Sequence, residues 1–157
     1  MSSQTRIQFE EQMKAIAGAV AGKAVDAGLE AFLNAGYGAS SPSFAKIENL
    51  CRQAIAEGWM CEHGEDGRRW GRVSEPSPEM SDFSVDVVAL AHGYGPHHSH
   101  PLGEIVLIMP QTPPARFDAR GAGWLVYPPA SSHYPTVTGG PALVLYLLHK
   151  GKIAFTK

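Results

Sequence analysis

The chain has 157 residues, 44% of them hydrophobic, and a formal charge of −2, the profile of an ordinary globular protein large enough to bury a core. That charge leaves no electrostatic footprint for nucleic acid or an anionic membrane, and no run approaches the roughly 18 apolar residues of a membrane helix. The opening MSSQTR leads into no apolar signal region, and Cys51 and Cys61 have neither disulfide-framework numbers nor zinc-site spacing, so a cytoplasmic protein with reduced, structural thiols is expected.

Up to about residue 60, apolar residues recur at helical spacing. Phe9, Met13, Ile16 and Val20 form one stripe, and Phe44, Ile47, Cys51 and Ile55 form another. Ser41 is placed to cap the second helix, with Pro42 at its first position and Gly58 at its end. Between the two, DAGLEAFL predicts a short helix closed by the glycines of NAGYGASS. Methionine and phenylalanine on these faces are read as core.

Beyond residue 60 the pattern is that of strands. RRWGRV, FSVDVVALA, EIVLIM, GWLVY and ALVLYLL are short, rich in β-branched or aromatic residues, and separated by glycine and proline. EHGEDG and SEPSPEMS read as loops by composition. No helix-length segment lies between the strands, which argues against a parallel α/β sheet, and no internal repeat is present. The expectation is a mainly β protein: an antiparallel barrel of jelly-roll type over residues 63–157, preceded by an α-helical extension over residues 1–62.

The chemistry concentrates in AHGYGPHHSHPLGE, which holds four of the seven histidines. Strand side chains alternate, so His98 and His100 point to one face and His97 to the other. Pro101 and Gly103 supply a turn, and a hairpin there returns Glu104 toward the paired imidazoles. His133, after the proline turn in PPASSHYPTV, offers a fourth ligand. Three imidazoles and one carboxylate suit a single divalent transition metal (zinc, iron, manganese, nickel or cobalt) with one or two positions left open for catalysis. Solvated loop histidines are the plain alternative for this cluster. His63, His92 and His149 stand alone and are read as surface or satisfied core residues.

These residues resemble the cupin superfamily. His98-Ser99-His100, three residues and then Glu104 match the ligand core of the first cupin motif. Pro128-Pro129-Ala130-Ser131-Ser132-His133 matches the second, except that Ala130 stands in the glycine place. Gln111 and Val137 also depart from the motif ends, where glycine and asparagine are usual; these positions shape turns and bind no metal. The resemblance implies a homodimer, and it leaves the reaction open, because one fold hosts many chemistries.

A narrower similarity lies in GRVSEPSP, FSVDVV, GPHHSHPLGEI, ARFDARGAGWLVYPPASSHYPTV and LYLLHKGKIAFT. These blocks look like the hydroxylaminobenzoate lyase family of bacterial nitroaromatic degradation, which also places a helical segment before its cupin barrel. The resemblance implies conversion of 4-hydroxylaminobenzoate to 3,4-dihydroxybenzoate with release of ammonia. One water in and one ammonia out balance that reaction without an oxidant, and no Gly-rich dinucleotide fingerprint is present. A Lewis-acid ion would bind the hydroxylamino oxygen and promote its departure.

A small aromatic acid needs a carboxylate clamp and a flat apolar slot. Arginine matches carboxylate with a planar fork. Arg72 is favoured because a strand holds it rigidly, Arg116 comes next, and Arg68, Arg69 and Arg120 follow. Trp70, Trp124, Tyr127 and Tyr146 are the aromatic candidates for the slot, with core filling as the commoner role. Tyr94 and His97 flank the metal motif as candidate catalytic proton carriers, with positioning as an equal alternative. Two other functions fit the same ligand set: a cupin dioxygenase acting on a catechol-like aromatic, and a non-catalytic cupin that binds a small molecule.

Overall fold

The computed structural model describes residues 3–156. Three helices come first: α1 (Gln4–Val20), α2 (Ala27–Tyr37) and α3 (Pro42–Glu57). Each starts at a side chain that accepts a backbone N–H of the first turn: Ser3 from Arg6, Asp26 from Leu29 and Ser41 from Phe44. Gly58 ends α3 in the left-handed region (φ 90°), where its N–H reaches the carbonyls of Ala54 and Ile55. Phe9, Met13, Ile16 and Val20 of α1 are buried, as are Phe44, Ile47 and Cys51 of α3. Among the described residues no helix is long and apolar enough to cross a membrane.

The strands are β1 (His63–Glu65), β2 (Arg68–Ser74), β3 (Phe83–Leu90), β4 (Gly93–Tyr94), β5 (His98–His100), β6 (Glu104–Pro110), β7 (Arg116–Phe117), β8 (Gly123–Tyr127), β9 (Ser131–His133), β10 (Thr136–Thr138), β11 (Ala142–His149) and β12 (Ala154–Phe155). They form a six-stranded sheet, β1-β2-β3-β11-β6-β8, and two three-stranded sheets, β4-β10-β7 and β12-β5-β9. The long strands are those the sequence marks out. The short ones escape it because runs of two or three residues carry no periodicity. EHGEDG is not all loop: its residues His63–Glu65 are β1, joined to β2 by a turn at Asp66-Gly67. SEPSPEMS contains a 3₁₀ turn at Pro78–Met80. The expected barrel is also not closed, since no ladder joins the three sheets. Pro96, Pro101, Pro128, Pro129 and Pro135 lie between the short strands, where they have no N–H to offer a ladder.

The six-stranded sheet is covered on both faces, which is why ALVLYLL is apolar without alternation. Val85, Val87, Ile105, Leu107, Leu145 and Leu147 pack under the helices. Val106, Ile108, Val144, Tyr146 and Leu148 face the opposite way, in a second cluster with Phe117 and Val137 from the small sheets.

Strand β8 lies at the sheet edge, where unpaired backbone groups need partners. Helix α2 supplies them. Asn34 donates to the Trp124 carbonyl at 2.9 Å and accepts from the Trp124 N–H at 2.8 Å, and Glu30 accepts from the Val126 N–H at 2.9 Å. Asn34→Ala leaves two buried backbone groups of β8 unpaired and should cost about 1–3 kcal/mol, read from urea denaturation. Metal content should not change, because Asn34 lies on the helix side of the sheet.

Candidate metal centre

Strand β5 pairs antiparallel with β9 so that His98 lies opposite His133 and His100 opposite Ser131. A turn then brings Glu104 back at the head of β6. Its closing residue, Gly103, sits at φ 88°, and a Cβ there would meet the Val25 side chain at 2.6 Å and the Tyr127 carbonyl at 2.9 Å. Only glycine fits between these two sets of ligands.

The result is one buried cluster. A ligand atom from each of His98, His100, Glu104 and His133 lies within 4.8 Å of the others. Glu104 Oε2 is 3.5 Å from His98 Nε2 and 3.2 Å from His100 Nε2, and Glu104 Oε1 is 3.5 Å from His133 Nε2. Yet His100 Nε2 and Glu104 Oε1 have no hydrogen-bond partner. Buried, converging lone pairs of this kind are unfavourable alone and fit a cation.

The outer ring nitrogens support the same reading. His98 Nδ1 faces the Pro96 carbonyl at 3.1 Å, His100 Nδ1 the Ser131 hydroxyl oxygen at 2.9 Å, and His133 Nδ1 Asp118 Oδ2 at 2.6 Å. The Ser131 hydroxyl donates to the Pro128 carbonyl at 2.6 Å, so its oxygen is free to accept from His100. With a proton on Nδ1, each Nε2 would offer its lone pair to a cation at the cluster, which would displace any second proton from His133. Burial by itself raises the Glu104 carboxyl, but the three imidazoles outweigh it and hold the group well below the usual carboxylate range. Burial lowers His133, and Asp118 and Glu104 together overcome that and push it up to about 9.

Asp118 is the functional residue that the sequence reading missed. It follows β7 in the left-handed region (φ 48°), a position open to a short polar residue. Its Oδ1 accepts from the Thr136 N–H at 2.9 Å, while Oδ2 accepts from the Tyr127 hydroxyl as well as from His133. Nothing in ARFDARG marks this role beyond a turn-forming residue.

A cavity of about 820 Å³ opens beside the cluster, with His98, Glu104, Trp70, Tyr146, Leu148 and Phe155 on its walls. The expected substrate residues are divided by it. Trp70 and Tyr146 line it, and no hydrogen bond fixes the Tyr146 hydroxyl among the described residues. Tyr127 stacks on His100 at 5.4 Å and belongs to the support of the cluster, not to the slot. Trp124 points to the helix side, where its indole N–H donates to the Tyr37 carbonyl at 2.9 Å, so it cannot flank a substrate here. Arg116 does not line the cavity; its guanidinium is turned onto the Pro113 and Ala115 carbonyls.

Arg72 does line the cavity, but not as a free cation. It pairs with Asp86 at 2.9 Å and Glu75 at 3.2 Å and donates to the Gly151 carbonyl at 3.3 Å. Tyr94 is 59% exposed against Tyr134, and His97 meets the Thr156 hydroxyl; neither lines the cavity. His97 lies just before β5, where its ring meets Thr156 and Tyr134.

Antiparallel sheets that bring three histidines and a glutamate together at this spacing are the arrangement the cupin resemblance implied. A family model for PnbB, 4-hydroxylaminobenzoate lyase, matches residues 11–155, and the chain belongs to that family. A 4-hydroxylaminobenzoate lyase from Nocardioides sp. (strain LMS-CY) is 33% identical over 136 residues, covering 81% of this chain and 80% of that protein. One from Pseudomonas putida is 31% identical over 150 residues, with 85% of each chain covered. In fold, the chain is similar to the crystal structure of the DMSP lyase DddQ from Ruegeria pomeroyi DSS-3, at TM-score 0.57 and 15% identity, over 99% of this chain and 98% of that one.

Asp118→Asn tests the support of His133. The amide keeps an acceptor for Thr136 but can present N–H toward His133, which then moves its own proton to Nε2 and loses its inward lone pair. Metal affinity should fall roughly 10- to 100-fold in a competition titration against a chromogenic chelator. Asp118→Glu should recover part of the loss, and an unchanged affinity for Asp118→Asn would mean that the tautomer is set elsewhere.

Proposed function

We propose that this enzyme converts 4-hydroxylaminobenzoate to 3,4-dihydroxybenzoate and ammonia, with one divalent transition metal held by His98, His100, Glu104 and His133. The observation that carries the reading is a buried three-histidine, one-carboxylate cluster opening onto a largely apolar cavity, in a chain of this family. The ion, when bound, supplies a Lewis acid and a coordinated water of lowered pKa.

The chain's own groups do the rest. Trp70, Leu148 and Phe155 offer apolar surface to a flat ring and displace bulk water, which strengthens every charge interaction at the cluster. The Tyr146 hydroxyl stands on the same wall as Glu104, free to hydrogen-bond the hydroxylamino group. Burial, reinforced by the charges of Glu104 and Asp118, raises its pKa, so it keeps its proton at neutral pH and acts as a donor. Over the reaction the N–O bond breaks, a ring C–O bond forms at the neighbouring carbon, and hydrolysis replaces nitrogen by oxygen. The ring carbon's oxidation is matched by reduction of the hydroxylamine nitrogen, so no external oxidant enters.

Metal-assayed protein incubated anaerobically with 4-hydroxylaminobenzoate should release ammonia and 3,4-dihydroxybenzoate in equal amounts, at the aerobic rate and with oxygen drawn from water. Product that forms only in air would instead identify a dioxygenase, and binding without product a non-catalytic cupin. His98→Ala, His100→Ala or His133→Ala should lower metal content and turnover together. Full turnover in excess chelator would remove the metal from the scheme.

A further inference from the structure

An aromatic carboxylate entering this cavity needs a cation whose charge is not already matched. Two arginines line the walls, Arg68 and Arg72. Arg72 is spoken for by two carboxylates and a carbonyl, so an incoming carboxylate would meet Asp86 and Glu75 as well as the guanidinium. Arg68 differs. Its Nη2 donates to the Tyr94 carbonyl at 2.5 Å, and no carboxylate among the described residues lies within ion-pairing distance of it. Its cross-strand neighbour Glu65 makes no such contact. One carbonyl uses one of the five guanidinium N–H groups, which fixes the group in place and leaves the others for a ligand.

The placement suits a benzoate. Arg68, Trp70 and Arg72 alternate onto one face of β2, so an indole ring stands beside Arg68 on the cavity wall. The carbonyl that anchors Arg68 belongs to Tyr94, four residues before the ligand His98, a stretch of at most about 14 Å of extended chain. Arg68 and the metal cluster therefore lie within one cavity's length of each other.

We propose that Arg68 is the residue that recognises the carboxylate of the aromatic acid, and that Arg72 is a structural ion-pair partner of Asp86 and Glu75. The assignment rests on the lyase reading for its substrate, but its test does not require turnover. Titration calorimetry with 4-hydroxybenzoate and with phenol compares a carboxylated and an uncarboxylated ligand on the metal-loaded protein. The wild type should bind 4-hydroxybenzoate more tightly, and Arg68→Ala should weaken that binding roughly 10- to 100-fold while leaving phenol unchanged. Arg68→Lys should recover part of the loss. Arg72→Ala should lower the melting temperature and shift both ligands alike. With 4-hydroxylaminobenzoate and phenylhydroxylamine as substrates, the Arg68→Ala loss should appear in KM for the carboxylated compound alone.

The proposal is overturned if Arg68→Ala weakens both ligands equally or neither, if Arg72→Ala shows the carboxylate-selective loss, or if the wild type does not prefer 4-hydroxybenzoate. A wild type that binds 4-hydroxybenzoate through Arg68 but turns over no hydroxylamine would end the lyase reading and leave Arg68 standing.

Discussion

The structure depends on a carboxylate, Glu104, being buried among three imidazoles. At 1% exposure it cannot be solvated by water, so its charge must be met by protons on the facing imidazoles or by a cation held among them. Glu104 belongs to the six-stranded sheet, and the histidines belong to the small sheet β12-β5-β9. Among the described residues no hydrogen-bonded ladder joins those two sheets, so the histidine–glutamate cluster is itself a link between them. A cation bound there would tie the sheets together as well as serve chemistry, and its loading would be coupled to stability for that reason.

The surrounding elements can be understood as support for that link. Gly103 turns the chain in a space that no side chain could share, and the β5–β9 register sets His98 opposite His133. Asp118 binds three groups at once, so the orientation of His133, the position of Tyr127 and the start of β10 are fixed by one carboxylate. The helices act from the other side. They bury the outer face of the large sheet, and Asn34 and Glu30 complete the open edge of β8, which leaves the inner face to form the cavity.

Charge on the cavity wall is distributed unevenly. Arg72 and Asp86 sit opposite each other in the β2–β3 ladder and neutralise each other before any ligand arrives. Arg68, at the start of the same strand, is held by a carbonyl dipole instead and keeps its charge. Across the β2–β3 ladder Asp86 faces Arg72 and Leu90 faces Arg68, while Glu65, opposite Arg68 on β1, makes no ion pair with it.

The sequence alone determined the elements and the members of the histidine–glutamate cluster, because both are encoded locally. Capping residues and apolar stripes marked α1, α2 and α3, β-branched runs marked the long strands, and the spacing from His98 to Glu104 with the proline turn before His133 marked the cluster. The tertiary structure decided which way side chains faced and which charges met. GWLVY is apolar on both faces of a covered sheet, so nothing local told that Trp124 would turn toward the helices. Asp118 became a partner of His133, and Arg72 a partner of Asp86, only when strands distant in sequence came into register. Ligand spacing is a property of a few consecutive residues, whereas charge pairing and facing are properties of the assembled sheets.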